Sequence, residues 1–222
     1  MANPLPARSG RPPVSARGAR TREGLVRAAR EVFERDGFLD ARIVDIASAA
    51  GVATGSFYTY FNSKEDAFAA VIDELSEEML HPRLREPAER DDPVAMIEAT
   101  NRTYLLAYRR NARLMALMEQ VAQVDEDFRR TRLRRVRAFT DRNAQAIAEL
   151  QRRGLADRTL DPQLTAEALS AMVGRVAYYR YVHRFNNASI ESLTQTLTAL
   201  WAGALGLNSR PAGKPRPIKP RR

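Results

Sequence analysis

His81 and His183 are the only histidines among the 222 residues, and cysteine is absent. That inventory offers no thiolate nucleophile, no histidine pair at metal-ligand spacing, no serine in an elbow motif and no glycine-rich phosphate loop. The nearest polar cluster, Tyr178, Tyr179, Arg180 and Tyr181 beside His183, points in different directions around a helix and reads as interface or core. Neither catalysis nor a cofactor is expected. What the sequence concentrates instead is binding chemistry. In GSFYTYFNSK, Gly55 to Lys64, four rings fall within five positions, whereas the whole chain is 7% aromatic.

At about 100° per residue, Phe57 and Phe61 share one side of a helix while Gly55 and Thr59 fall on the other, flanked by Ser56 and Tyr58. Two rings can therefore anchor a short helix and leave the rest of its surface open. On that surface Gly55 permits close approach of the backbone. Thr54 and Ser56 place hydroxyls at a helix N-terminus, where phosphate is favoured, and Tyr58 and Thr59 have the reach for base edges or thymine methyls.

Such a surface needs elements to position it. The sequence supplies a short helix over Ile43, Ile46, Ala47 and Ala50, a GVA connection at Gly51 to Ala53, and a third short helix from about Thr54 to Phe61. Before them, Leu25, Ala29, Val32 and Phe33 give a supporting helix with Thr21 as its expected cap, ending near Gly37. After them, Ser63 and Asp66 form a capping-box pattern that opens a fourth helix bearing Phe68, Val71, Ile72, Leu75 and Met79. A long helix followed by two short ones is the outline of a helix-turn-helix unit.

These residues resemble a known family. TREGLVRAAREVFERDGF and VDIASAAGVATGSFYTYFNSKEDAF are similar, over residues 21 to about 75, to the DNA-binding domain of the TetR family of bacterial transcriptional regulators. They share its order of helix, Gly-aromatic, Ile-Ala, Ala-Gly-Val, then Gly-x-x-Tyr-x-x-Phe-x-x-Lys-Glu. The resemblance implies that Thr54, Gly55, Tyr58 and Thr59 face bases, and that Ser56, Tyr60 and Lys64 grip phosphates. Arg20 and Thr21, at the start of the first helix, join the expected DNA-contacting set. Where the family has a Thr pair before the second helix this chain has Ala41 and Arg42, so Arg42 is the expected replacement contact.

Beyond Pro82, Pro87 and Pro93 a larger helical unit begins, with Asp92-Pro93 as its opening cap. Further helices are expected through Tyr104 and Tyr108, over Asn111 to Ala122, from Asp125 to Gly154, from Pro162 to about His183 and from Ser189 to Leu205. The fold class is all-α with about nine helices: an N-terminal helix-turn-helix domain over 21–80 joined to a larger effector-binding and dimerisation domain over 81–208. Tyr104, Tyr108, Met115, Met118, Phe139, Met172 and Tyr179 are soft or aromatic side chains suited to a pocket for a hydrophobic or acyl-CoA-like effector. Ordinary helical core would carry them equally well. The stripes Met172, Val173, Val176 and Leu193, Leu197, Leu200, Trp201 suit either a homodimer through the last two helices or an intrachain core.

Charge completes the reading. The net charge is +9, yet residues 23–80 hold five basic and twelve acidic residues. The excess of positive charge sits at the ends. Arg8, Arg11, Arg17, Arg20 and Arg22 lie in a Pro-, Gly- and Ser-rich start without acids, expected to be a disordered basic arm over 1–20. Residues 209–222 read as a second such tail. Both are solubilising or contact phosphate, and Arg8-Ser9-Gly10-Arg11-Pro12 has the look of a minor-groove arm. No apolar run reaches membrane-spanning length and no secretory signal is evident, so a cytoplasmic regulator is expected. The sequence thus points to a repressor released from a palindromic operator by a small molecule. A basic helical scaffold that binds DNA without sequence preference is the alternative.

Overall fold

Helix α1 extends from Ala16 to Asp40, with Ser15 as its N-cap. The Ser15 hydroxyl accepts from the Gly18 amide at 3.1 Å, so the helix opens before the Thr21 cap read from the sequence. Residues 16–20 are helical rather than part of an extended arm. Thr21 lies inside the helix, where its hydroxyl donates to the Arg17 carbonyl at 3.1 Å. The computed structural model describes residues 15–80 and 92–207, with the backbone alone for 77–80. The expected basic arm before residue 15, the proline-bearing junction at 81–91, the Met79 side chain and the basic tail lie outside the described residues.

Leu25, Ala29, Val32 and Phe33 are fully buried along α1. At Gly37 the backbone leaves helical geometry (φ 81°, ψ 176°), a region open to glycine and strained for residues with a Cβ. That break turns Phe38 back onto Phe33, their rings 5.7 Å apart. Two seven-residue helices follow, α2 (Ile43–Ala49) and α3 (Thr54–Tyr60). Between them Gly51 adopts φ 67°, while Val52 donates to the Ala47 carbonyl and Gly51 to that of Ser48, both at 3.0 Å. This pair of bonds satisfies the last carbonyls of α2 and fixes the angle at which α3 departs.

Helix α4 (Lys64–Leu80) is capped by Ser63, whose hydroxyl accepts from the Asp66 amide at 3.1 Å. Asp66 reaches back to the Asn62 amide at 3.2 Å, one residue beyond the partner of a standard capping box. Phe68 is fully buried and joins two regions. Its ring stands edge-on to Phe33 at 5.0 Å and stacks on Phe128 at 5.3 Å, so one hydrophobic core runs through both ends of the described chain.

The larger unit comprises α5 (Pro93–Arg110), α6 (Ala112–Val124), α7 (Glu126–Arg152), α8 (Pro162–Tyr181) and α9 (Ile190–Leu205). Asp92, Asp125, Asp161 and Ser189 cap α5, α7, α8 and α9 with side-chain bonds to first-turn amides. Each meets donors that would otherwise be unpaired at a helix start. Helix α5 packs on α9 and α8, α7 packs on α8 and α6, and α4 lies against α1, α5 and α7. The described residues contain no strand, and none of their helices is long and apolar enough to cross a membrane.

Candidate nucleic-acid interface and internal cavity

Helix α3 is held by two rings. Phe57 and Phe61 are 0% and 1% exposed and lie 5.5 Å apart. Arg22 of α1 closes over the Phe61 ring at 5.2 Å, joining the supporting helix to the end of α3. The opposite side of α3 is open. Tyr58 is 52% exposed, Gly55 and Thr59 are exposed, and Thr54 and Ser56 are half-buried at the helix start. A Cβ built on Gly55 would meet nothing within 4 Å, so an incoming surface can reach the backbone there. Tyr60 departs from the surface position expected of it. It is half-buried and packs against the core, which leaves Tyr58 as the projecting ring of α3.

Two expected phosphate contacts have other tasks in this structure. The Lys64 ammonium donates to the carbonyls of Phe38, Leu39 and Ala41 at 2.7, 3.1 and 3.1 Å and sits 4.7 Å over the Phe38 ring. All three of its N–H donors are engaged. It therefore clamps the end of α1 to the start of α4 rather than standing ready for phosphate. Arg42 is exposed but paired with Asp45 at 2.7 and 3.0 Å. The Arg42 guanidinium holds the Asp45 carboxyl below its usual range by direct hydrogen bonding, so the positive charge expected at this position is offset one turn away. Arg20 is exposed on the first turns of α1, and Thr21 beside it is half-buried.

The second feature is a cavity of about 1820 Å³, above the usual range for small-molecule sites. Helices α4 to α9 all contribute to it, and it extends to Ala19, Arg22 and Glu23 of α1. Tyr104, Tyr108, Met115, Met118 and Phe139 line it, as the sequence suggested. Met172 and Tyr179 do not. Met172 packs against the core from the side. Tyr179 is exposed on α8 with its ring beside Phe185 at 5.9 Å, and its neighbour Tyr178 takes the cavity position.

The lining also holds residues that apolar periodicity does not reveal. Gly174 leaves room for the Tyr104 hydroxyl, which lies 3.4 Å from where a Cβ would stand. Trp201 contributes from α9, and Glu119 and Arg132 contribute an ion pair. Burial raises the Tyr104 phenol to about 12 and pushes Tyr108 up as well, because desolvation disfavours the phenolate. The cavity wall is mostly apolar but also carries charged side chains, arginines of α7 above all, a composition suited to holding an organic molecule with a polar end.

Comparison with known proteins bears on both features. The profile for "Bacterial regulatory proteins, tetR family" matches residues 25–71, and that for "Tetracyclin repressor-like, C-terminal domain" matches residues 94–210. The HTH-type transcriptional regulator TtgR of Pseudomonas putida is 28% identical over 162 residues, covering 69% of this chain and 76% of its own. The structure of SmeT, the repressor of the Stenotrophomonas maltophilia multidrug efflux pump SmeDEF, superposes with a TM-score of 0.65 at 22% identity, covering 89% of this chain and 97% of its own. A TetR-family regulator structure from Rhodococcus sp. gives a TM-score of 0.67 at 21% identity, over 84% of this chain and 99% of its own.

Proposed function

The chain belongs to the tetR family of bacterial regulatory proteins and is a DNA-binding transcriptional regulator, and we propose that it is a repressor that reads a palindromic operator through α3. The observation that carries this reading is the division of α3 into a locked side, Phe57 and Phe61, and an open side, Gly55, Tyr58 and Thr59. A reading helix must be rigid on one face and unobstructed on the other, and α3 meets both conditions. Thr54 and Ser56 at its N-terminus are the assigned phosphate contacts, and the basic arm, especially Arg17, Arg20 and Arg22, is assigned the positive charge that residues 23–80 lack.

Two copies place two such helices on one duplex. The surfaces assigned to pairing are the outer faces of α8 and α9, where Leu164, Tyr179 and Leu200 are exposed and small residues such as Ala168, Thr196 and Gly203 are open. Of the stripe residues read from the sequence, Val173, Leu193, Leu197 and Trp201 are intrachain core. That leaves Leu200, with half-buried Met172 and Val176, for a partner. The two-fold relation of such a dimer would be mirrored in an inverted-repeat operator.

The cavity is assigned to a small hydrophobic effector, an acyl-CoA-like molecule being one form, whose binding releases the DNA in the cytoplasm. SmeT supports the repressor reading by its description as a repressor of a multidrug efflux pump. Selection of duplexes from a random pool by the full chain tests the proposal. Enrichment of one inverted repeat is expected. A pool that stays random after several rounds would instead favour the scaffold that binds without sequence preference.

A further inference from the structure

The arginines of α7 are not alike. Arg129, Arg130, Arg134 and Arg137 are exposed, although the last three also border the cavity. Arg132 and Arg135, one turn apart and so on one side of the helix, have side chains only 26% and 12% exposed, and both line the cavity. Taking a guanidinium out of water is costly unless an anion and hydrogen bonds compensate. Here the anions come from the protein. Glu119 of α6 pairs with Arg132, and Asp73 of α4 accepts from Arg135 Nε at 2.6 Å, while Arg135 also donates to the Ala69 carbonyl at 3.0 Å. Arg132 still has its Nε buried with no hydrogen-bond partner among the described residues. An arginine presents five donors in a planar fork, and the Arg132 side chain is still 26% exposed, so its terminal amines retain capacity for an anion beside Arg135.

We propose that Arg132 and Arg135 form a head-group site for the anionic end of an apolar-tailed acid, and that this anion displaces Asp73 from Arg135. The inference rests on the effector reading above and specifies its chemistry. Phe139, one turn beyond Arg135, together with Met115 and Met118, provides the apolar wall for the tail. The Tyr104 hydroxyl, on the cavity wall beside Gly174, is a further donor. Asp73 lies on α4, the helix that begins directly after α3. The Arg135 contacts and the Phe68–Phe128 stack both tie α4 to α7, so exchange of Asp73 for a ligand anion acts on the connection between the cavity and the DNA-reading unit.

Trp201 is the single tryptophan of the chain and lines the cavity, so its fluorescence reports occupancy without a label. The experiment titrates the full chain with dodecanoate, dodecanoyl-CoA and dodecanol, which share a tail and differ at the head. At least one anionic probe should bind about tenfold or more tighter than the alcohol, the size of a charge-assisted contact, and which one does so separates a free acid from a CoA thioester. Asp73→Asn removes the internal competitor. It should tighten the anionic probe about tenfold while leaving dodecanol unchanged, whereas a purely structural Asp73 would give no such gain. Arg135→Gln should abolish the preference for the anion. Equal binding of alcohol and anions, or unchanged or weaker anion binding by Asp73→Asn, overturns the inference and leaves the hydrophobic-effector reading standing. Absence of any response to all three probes overturns both.

Discussion

Phe57 and Tyr58 are adjacent and chemically close, yet one is sealed in the core and the other is half open to solvent. Angular position on a two-turn helix decides this, and so it was legible in the sequence. Replacing Phe57 by Ala should cost about 3–5 kcal/mol of stability in denaturant unfolding, while Tyr58→Phe should leave unfolding unchanged and weaken DNA binding. The opposite pattern would reverse the assignment of the two faces. Position on a helix was not sufficient for Lys64, Met172 or Tyr179. Lys64 is bound by carbonyls that become available only because Gly37 breaks α1 beside it, and no sequence period contains that event. Tyr178 and Tyr179 are neighbours of the same type, and the rotation of α8 against α7 determines which one meets the cavity. For Tyr104 and Tyr108 the raised phenols give a pH prediction. The unfolded chain would ionise them near the ordinary tyrosine value of about 10, whereas folded Tyr104 holds its proton to about 12. The Tyr104 contribution to stability is thus complete below about pH 10 and is lost as the pH rises through about 12. Phenolate absorbance should show a late step near pH 12 that a Tyr104→Phe variant loses, and the same variant should soften the alkaline loss of stability.

At the level of the helices, starts were marked by chemistry that acts over three or four residues. Asp92-Pro93, Asp125 and Ser189 each cap the helix the sequence opened there. The start of α1 was misread for a related reason. Ala16 to Arg20 carries arginine and alanine, which favour a helix, but its glycine and the prolines before it suggested an arm, and Ser15 was the better cap. The division between exposed and part-buried α7 arginines also escaped the sequence, because it depends on how α7 is rotated against α4 and α6. Two glycines set the angles between helices in the small unit, Gly51 between α2 and α3 and Gly37 at the bend of α1. Gly37→Ala should destabilise the chain by about 1–3 kcal/mol, since its φ and ψ lie where a Cβ is strained, even though a Cβ there would touch nothing. A Tm equal to that of the parent would show that the bend relaxes without cost.

Across the complete chain, total charge was a weak guide. The chain carries +9, but much of that lies outside the described residues, and the unit that carries α3 is acidic. The ring of Phe68, shared between Phe33 and Phe128, ties that unit to the helices around the cavity, so a change in the chamber has a packed route to α3. Pairing is the other property of the entire molecule. Leu200 is 50% exposed on α9, and Leu200→Glu should convert a dimer to monomer in sedimentation equilibrium, with loss of operator affinity and little change in Trp201 fluorescence. A variant that remains dimeric would move the interface elsewhere. Whether α3 reads sequence while the basic ends only assist is decided by competition binding at physiological salt. The full chain is bound to its selected inverted repeat and challenged with a large excess of bulk duplex DNA. The complex is expected to survive the challenge with the native chain and to be lost with Tyr58→Ala; a complex displaced by bulk DNA, or one indifferent to Tyr58, would refute sequence reading by α3.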